Sequence, residues 1–287
     1  MIAFNAKVRR AAAQDHYQIA NLLFHESHTH RHLDWRSVFD WLGAKNFWTL
    51  DEHGFISAAL ACPEDPTDVA WIRLFTYHPH LDLRAAWSAL WQHAQAEIFY
   101  NNPNAKVSAI ALKPWFQEIL LQSGFEQTQR LVVLRLQCEN FKPPPLSQHI
   151  RIRRMKESDL PSVAEVDFKA FGSFWHNPLD SIRFAYAQSI FATVAENPTN
   201  EIIGYQLSTG SQYGAHLARL AVAPEAQGQG AASALVSNLI EYLDSNQIDA
   251  LSVNTQEDNA ASLALYQKIG FAKTGEHFPV LIYNRGL

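Results

Sequence analysis

The residues best suited to chemistry lie in the run Leu217-Ala-Arg-Leu-Ala-Val-Ala-Pro-Glu-Ala-Gln-Gly-Gln-Gly-Ala-Ala-Ser-Ala-Leu-Val236. Leu217–Val222 is small and apolar apart from Arg219, which reads as a buried strand, and Pro224 ends it. From Gly230 to Leu243 apolar residues recur at helical spacing. A glycine-rich turn at a helix start aims several backbone N–H groups outward, at the positive end of the helix dipole. The segment Gln227–Ala232 is therefore an anion site suited to a pyrophosphate. A second cluster, His25, His28, His30 and His32, has the look of metal ligands. No cysteine or carboxylate at zinc spacing accompanies it, so a solvated or substrate-facing loop is expected, and no metal.

Composition narrows the function classes. The 287 residues are 47% hydrophobic and 18% charged, with a net charge of -5 and no long basic run, so nucleic acid is not an expected partner. The two cysteines, Cys62 and Cys138, are far apart and form no CxxC, which argues against a disulfide framework. No apolar run approaches a membrane span, and the opening residues lack a signal peptide's apolar core. No membrane partner and a cytoplasmic location are expected, as a monomer or homodimer.

The elements that must position the turn occur twice. Val8-Arg-Arg…Asp15 aligns with Ile152-Arg-Arg…Asp159, and Phe47…Glu52 with Phe191…Glu196, both offset by 144 residues. Arg73-Leu74 aligns with Arg219-Leu220 and Gly124-Phe125 with Gly270-Phe271, both offset by 146. Ordered landmarks at near-constant offset indicate a tandem duplication of one fold. Between the copies, Phe141-Lys-Pro-Pro-Pro-Leu-Ser147 reads as a stiff linker. The expected division is 1–140, a linker at 141–148, and 149–287. Each copy reads as strand, helix, an aromatic and histidine-rich region, two or three antiparallel strands, helix, strand, short helix and a last strand (Leu131–Leu136; Phe278–Tyr283). This is an α/β copy with a mixed, mostly antiparallel sheet flanked by helices.

The second copy resembles the GCN5-related N-acetyltransferase (GNAT) superfamily. The resemblance rests on Gln227-Gly-Gln-Gly-Ala-Ala232 and on Asn259-Ala-Ala-Ser-Leu-Ala-Leu-Tyr266-Gln-Lys-Ile-Gly270-Phe271, in that order, over about residues 150–285. It implies two tandem GNAT folds, an acetyl-CoA co-substrate and acyl transfer to an amine, on a small molecule or a peptide amino terminus. It implies that Gln227, Gly228, Gln229, Gly230, Ala231 and Ala232 hold the CoA pyrophosphate. Leu220, Ala221 and Val222 would splay from the neighbouring strand and pair with the pantetheine amides. Asn259 would contact CoA, and Tyr266, two helical turns on, would protonate the leaving thiolate.

The family's two usual base positions map to Asn254, an amide that cannot take a proton, and to His216. His216 comes first as base, with Glu165 and Tyr205 in reserve, though a strand-edge histidine without a role is an equal reading. Phe171, Trp175 and His176 fall in the loop that borders the acceptor in this family; they line a substrate pocket or simply pack. Trp35, Trp41, Trp87 and Trp91 read as packing residues. The first copy has no glycine in Arg73–Arg84, and its tyrosine position is Leu120, so it is expected to be a degenerate scaffold. A non-catalytic acyl-CoA-binding regulator is the alternative function. Tandem members that acetylate a thiol-sugar amine exist, but no residue here points to that acceptor.

Overall fold

The structure is a computed structural model and describes residues 6–32, 34–141, 143, 149–211 and 214–285. Residues 142 and 144–148 of the expected linker lie outside them. Contacts group the chain into two compact units, Met1–Gln129 with Phe278–Leu287, and Arg130–His277.

The first unit holds β1 (Ala6–Arg10), α1 (His16–Leu23), β2 (Thr29–Arg31), β3 (Phe47–Glu52), β4 (Phe55–Ala61), β5 (Val69–Trp71), β6 (Leu74–Tyr77), α2 (Leu83–Asn101), β7 (Lys106–Ile110) and α3 (Pro114–Gln122). Strands run β1-β3-β4-β6-β2, and β5 pairs in parallel with β7. His53 and Gly54 both take positive φ, which closes the β3–β4 hairpin tightly. The core is aromatic: Trp87 and Trp91 of α2 pack with Phe75, Phe116 and Phe125. Trp41 is buried with Ile19, Phe47 and Leu74.

The chain continues with β8 (Glu126–Gln137), β9 (Arg151–Arg154), α4 (Leu160–Trp175), α5 (Leu179–Gln188), β10 (Phe191–Glu196), β11 (Ile202–Ser211), β12 (Gly214–Val222), α6 (Ala231–Ser245), β13 (Ala250–Gln256), α7 (Ala260–Ile269) and β14 (Ala272–Tyr283). In the second unit the order is β9-β10-β11-β12-β13-β8, with only the β12–β13 pair parallel. Leu217, Leu251 and Val253 pack on Val236 and Leu239 of α6 and Tyr266 of α7. Apolar residues at helical spacing on α6 thus cover one face of the sheet.

The two units exchange their closing strands, which corrects the reading that each copy ends on its own. Leu131–Gln137 of β8 pairs with β13 in the second unit. Val280–Tyr283 of β14 pairs with β7 in the first. The duplication itself shows in matched ion triads. Arg9 holds Asp15 with two hydrogen bonds and Asp51 with one. Arg153 does the same for Asp159 and Glu196. In each copy the aspartate also accepts the backbone N–H that opens its first helical turn, of Ala12 or Lys156. The Arg-Arg…Asp landmark therefore ties the first strand and first helical turn of each copy to β3 or β10.

Candidate active site

The site is built around β12. On one edge it pairs with β11 along its whole length, with Ala218 as an extra residue between the pairs Leu207–Arg219 and Ser208–Leu217. Such a bulge bends the strand. On the other edge it pairs with β13 only at Ala215, His216 and Leu217. Both strands run on, β12 to Val222 and β13 to Gln256, without pairing. A wedge therefore opens after Leu217, and the backbone of Arg219–Val222 presents one bare edge to it.

The bare edge leads into the glycine turn. Gly228 has φ 75 and Gly230 φ 94, values that L side chains rarely adopt. An added Cβ at Gly228 would meet nothing within 4 Å, so the turn is an open cradle. Gly230 is the N-cap of α6 and offers no side chain, leaving the first-turn N–H groups of Ala231 and Ala232 without a capping partner. The Gln227 amide folds back onto the Val222 carbonyl, and the Gln229 amide onto the Glu225 carbonyl. The unpaired edge at Leu220–Ala221 and the uncapped turn at Gly228–Ala232 thus flank a short bonded turn, in which Val222 accepts from the Gln227 amide and the Gln227 N–H donates to Pro224. These groups fit a phosphate-bearing ligand with an amide-containing arm.

Asn259 caps α7, its Oδ1 accepting from the Ser262 N–H, which leaves its amide N–H groups available. Tyr266, two turns on, is 4% exposed and shares a cluster with Leu217 and Val253 at the wedge apex. Burial pushes its hydroxyl well above the ordinary tyrosine range, so it stays protonated at neutral pH.

His216 lies on the opposite face, because neighbouring residues of a strand alternate and Leu217 faces Tyr266. Its Nδ1 lies 2.9 Å from Ser252 Oγ, and that hydroxyl donates to the Ala215 carbonyl. With the single hydroxyl proton donated to the Ala215 carbonyl, Nδ1–H is the donor to Ser252 and Nε2 carries the lone pair; with that proton donated to Nδ1 the assignment reverses. Burial lowers the His216 value below the ordinary 6.5, which keeps the ring neutral. The ring lines a cavity of about 520 Å³ with Ser252, Arg135, Thr274 and Glu276.

The other expected residues are placed differently. Tyr205 is fully buried and its hydroxyl donates to Asp167, which removes it as a base. Arg219 also holds Asp167, at 2.7 and 2.8 Å, and donates to the Trp175 carbonyl. Its guanidinium lies 3.6 Å from the Phe171 ring centroid. The Asn177 N–H completes the shell of Asp167. This network fixes the end of α4, kinked at Gly172, against β12. His176 lines a separate cavity of about 470 Å³ with Glu165, Phe168 and Lys169; Phe171 and Trp175 line neither. Asp167, Ser252 and Arg135 were not anticipated. The signal for Asp167 was Arg219 itself, a lone cation in an apolar strand, repeated as Arg73, which pairs with Asp34 in the first unit.

The first unit shows why its equivalent site is closed. After pairing with β7 at Val69–Trp71, the chain turns at Ile72–Arg73, and β6 leaves β7 as β12 leaves β13. Here the exposed edge is taken: Thr29, His30 and Arg31 of β2 pair with Thr76, Phe75 and Leu74. The chain itself fills the wedge. This corrects the reading of the histidine-rich stretch as a solvated loop. His30 is buried, stacks on Phe116 at 3.7 Å, and is lowered to about 3 by burial. Among the described residues no His, Cys, Asp and Glu group suits a metal ion.

Residues 160–271 match the family model described as the acetyltransferase (GNAT) family. The chain has the fold of a tandem GNAT protein from the clavulanic acid biosynthesis pathway, with a TM-score of 0.65 at 16% identity over 99% of both chains. It therefore has a tandem GNAT fold, and the family model matches within its second half. It is 27% identical over 178 residues to a mycothiol acetyltransferase of Renibacterium salmoninarum, covering 55% of this chain and 52% of that relative. It is 25% identical over 131 residues to the [ribosomal protein bS18]-alanine N-acetyltransferase of Escherichia coli K12, covering 42% of this chain and 79% of that relative. The chain spans about half the length of the mycothiol acetyltransferases it matches. Among the described residues no helix is long and apolar enough to cross a membrane.

Proposed function

We propose that the second unit transfers an acetyl group from acetyl-CoA to the primary amine of a small molecule or a peptide amino terminus. The observation that carries this reading is the bare edge of Arg219–Val222 running straight into the glycine turn at Gln227–Ala232. Acetyl-CoA would supply the acyl group as a thioester. Gln227–Ala232 hold its pyrophosphate, Leu220–Val222 its pantetheine arm, and Asn259 adds an amide contact. A backbone N–H of the bare edge polarises the thioester carbonyl. His216 Nε2 takes the proton of the incoming ammonium, directly or through a water. The amine nitrogen bonds to the acyl carbon, the carbon–sulfur bond breaks, and Tyr266 protonates the departing thiolate from the opposite face; the second proton shed by the amine nitrogen returns to the phenolate through solvent. The Phe171–His176 segment is fixed against β12 by Asp167 and Arg219 and borders the bare edge rather than the cavity beside His216.

Thiol release from acetyl-CoA across an amine panel tests this. Amine-dependent release that drops in Tyr266→Phe supports transfer. Tight CoA binding without release on any amine would make the protein a non-catalytic acyl-CoA binder. The matched relatives are named mycothiol acetyltransferase and [ribosomal protein bS18]-alanine N-acetyltransferase, which supports acetyl transfer without choosing the acceptor.

A further inference from the structure

We infer that the cavity beside His216 receives an amine that also carries a carboxylate, and that Arg135 binds that carboxylate. The inference rests on the acetyl-transfer reading and names its acceptor class. Strand register places Thr209, His216, Ser252 and Arg135 in one row across β11, β12, β13 and β8. Directly paired residues point to the same face, so this polar row faces one way. The row lies one residue before the wedge apex at Leu217 and Val253, where the thioester carbonyl has to sit for attack. The cavity above it is lined by His216, Ser252 and Arg135, with Glu276 and Thr274 at its side.

Arg135 stands apart from the other arginines of this unit. Arg130, Arg151, Arg153, Arg183 and Arg219 are ion-paired, and Arg154 lies over the Phe191 ring. Among the described residues the Arg135 side chain has neither an ion-pair partner nor a ring beneath it. The Glu276 carboxylate is likewise unpaired. One cation and one anion facing one cavity suit a ligand with one charge of each sign. A carboxylate takes the planar fork of a guanidinium, and an ammonium is drawn in by Glu276 before His216 takes its proton. A phosphate dianion would leave excess negative charge beside Glu276. His216 and Arg135 stand two strand spacings apart, about 10 Å between backbones. That separation, less the length of the Arg135 side chain, leaves room for an amine and a carboxylate a few bonds apart, as in an amino acid or a dipeptide.

The test compares glycine, alanine and glycylglycine with their amides and with aminoethyl phosphate, in the wild type and in Arg135→Gln. The acids are expected to have a KM at least tenfold below their amides. Arg135→Gln should raise the KM of the acids by about 10- to 100-fold, the effect of one charged hydrogen-bonded pair, with kcat and the amides unchanged. Equal KM for acid and amide, an equal effect of Arg135→Gln on both, or preference for the phosphate overturns the inference. If no amine is turned over, calorimetry of alanine and glycylglycine against CoA-saturated protein decides. Binding that Arg135→Gln abolishes upholds the carboxylate site and counts against acetyl transfer. No binding overturns the site itself.

Discussion

On the proposed reading, Tyr266 and His216 divide the proton work by environment. Both are shifted by burial, in opposite directions: the phenol stays protonated and the imidazole stays neutral. Tyr266→Phe keeps the packing and removes the donor, so kcat should fall about 100-fold or more while CoA affinity is unchanged; steady-state rates and a binding titration read this. Neutral His216 is the active form, and its value lies below 6.5. The enzyme-borne limb of kcat/KM should therefore rise with pH through a value below 6.5 and be flat above it. In His216→Gln that limb should disappear; a limb that persists assigns the base elsewhere. Tyr266 and Asn259 were singled out through the resemblance of Asn259–Phe271 to the GNAT pattern, and both sit on one helix. The Ser252 bond that sets the His216 tautomer was not, since it arises from register between strands 36 residues apart. Asp167 was hidden for the same reason: its partners are spread from Tyr205 to Arg219.

Among the elements, the turn before α6 and the Arg153 triad carry the clearest consequences. Ala232 lies in the first turn of α6, where a carboxylate is favourable to the helix dipole. Ala232→Glu should leave the melting temperature unchanged yet weaken CoA binding at least tenfold, because the carboxylate occupies the phosphate cradle. Equal affinity in the variant would remove the turn from the site. The triad concerns stability. Arg153 holds the Asp159 carboxyl below its ordinary 3.8, and Glu196 is buried beside it. Because the folded value is the lower one, this stabilisation is complete above the ordinary carboxylate value and is lost as pH falls through the folded value. Arg153→Gln leaves Asp159 without its ion pair and Glu196 with only the 3.7 Å contact to Arg151, and should cost about 3 kcal/mol at pH 7, with a smaller difference from wild type near pH 3; urea unfolding at both values checks it. The succession of strands and helices along each copy was legible from alternation and turn residues. The exchange of β8 and Phe278–Tyr283 was not, because matching sequences give no preference for one copy's edge over the other's. The three-residue strand β2 was missed because histidines alternating with Thr29 and Arg31 read as polar, while the His30 ring is buried on Phe116.

At the scale of the whole molecule, a duplicated chain keeps two wedges and uses them differently. In the second unit the edge after the bulge is bare and ends in glycines. In the first, β2 covers the corresponding edge, and α2 starts at Asp82-Leu83 with an aspartate cap where a phosphate would bind. The absence of glycine from Arg73–Arg84 was the sequence's reason to doubt the first site; the self-pairing of Thr29–Arg31 is a second and stronger one. The account therefore predicts one acyl-CoA site per chain. Isothermal titration of the full chain with acetyl-CoA tests this most directly. The expected result is saturation at one equivalent, lost in Ala232→Glu and unaffected by Thr29→Val. Saturation at two equivalents, or one equivalent that survives Ala232→Glu, would contradict it.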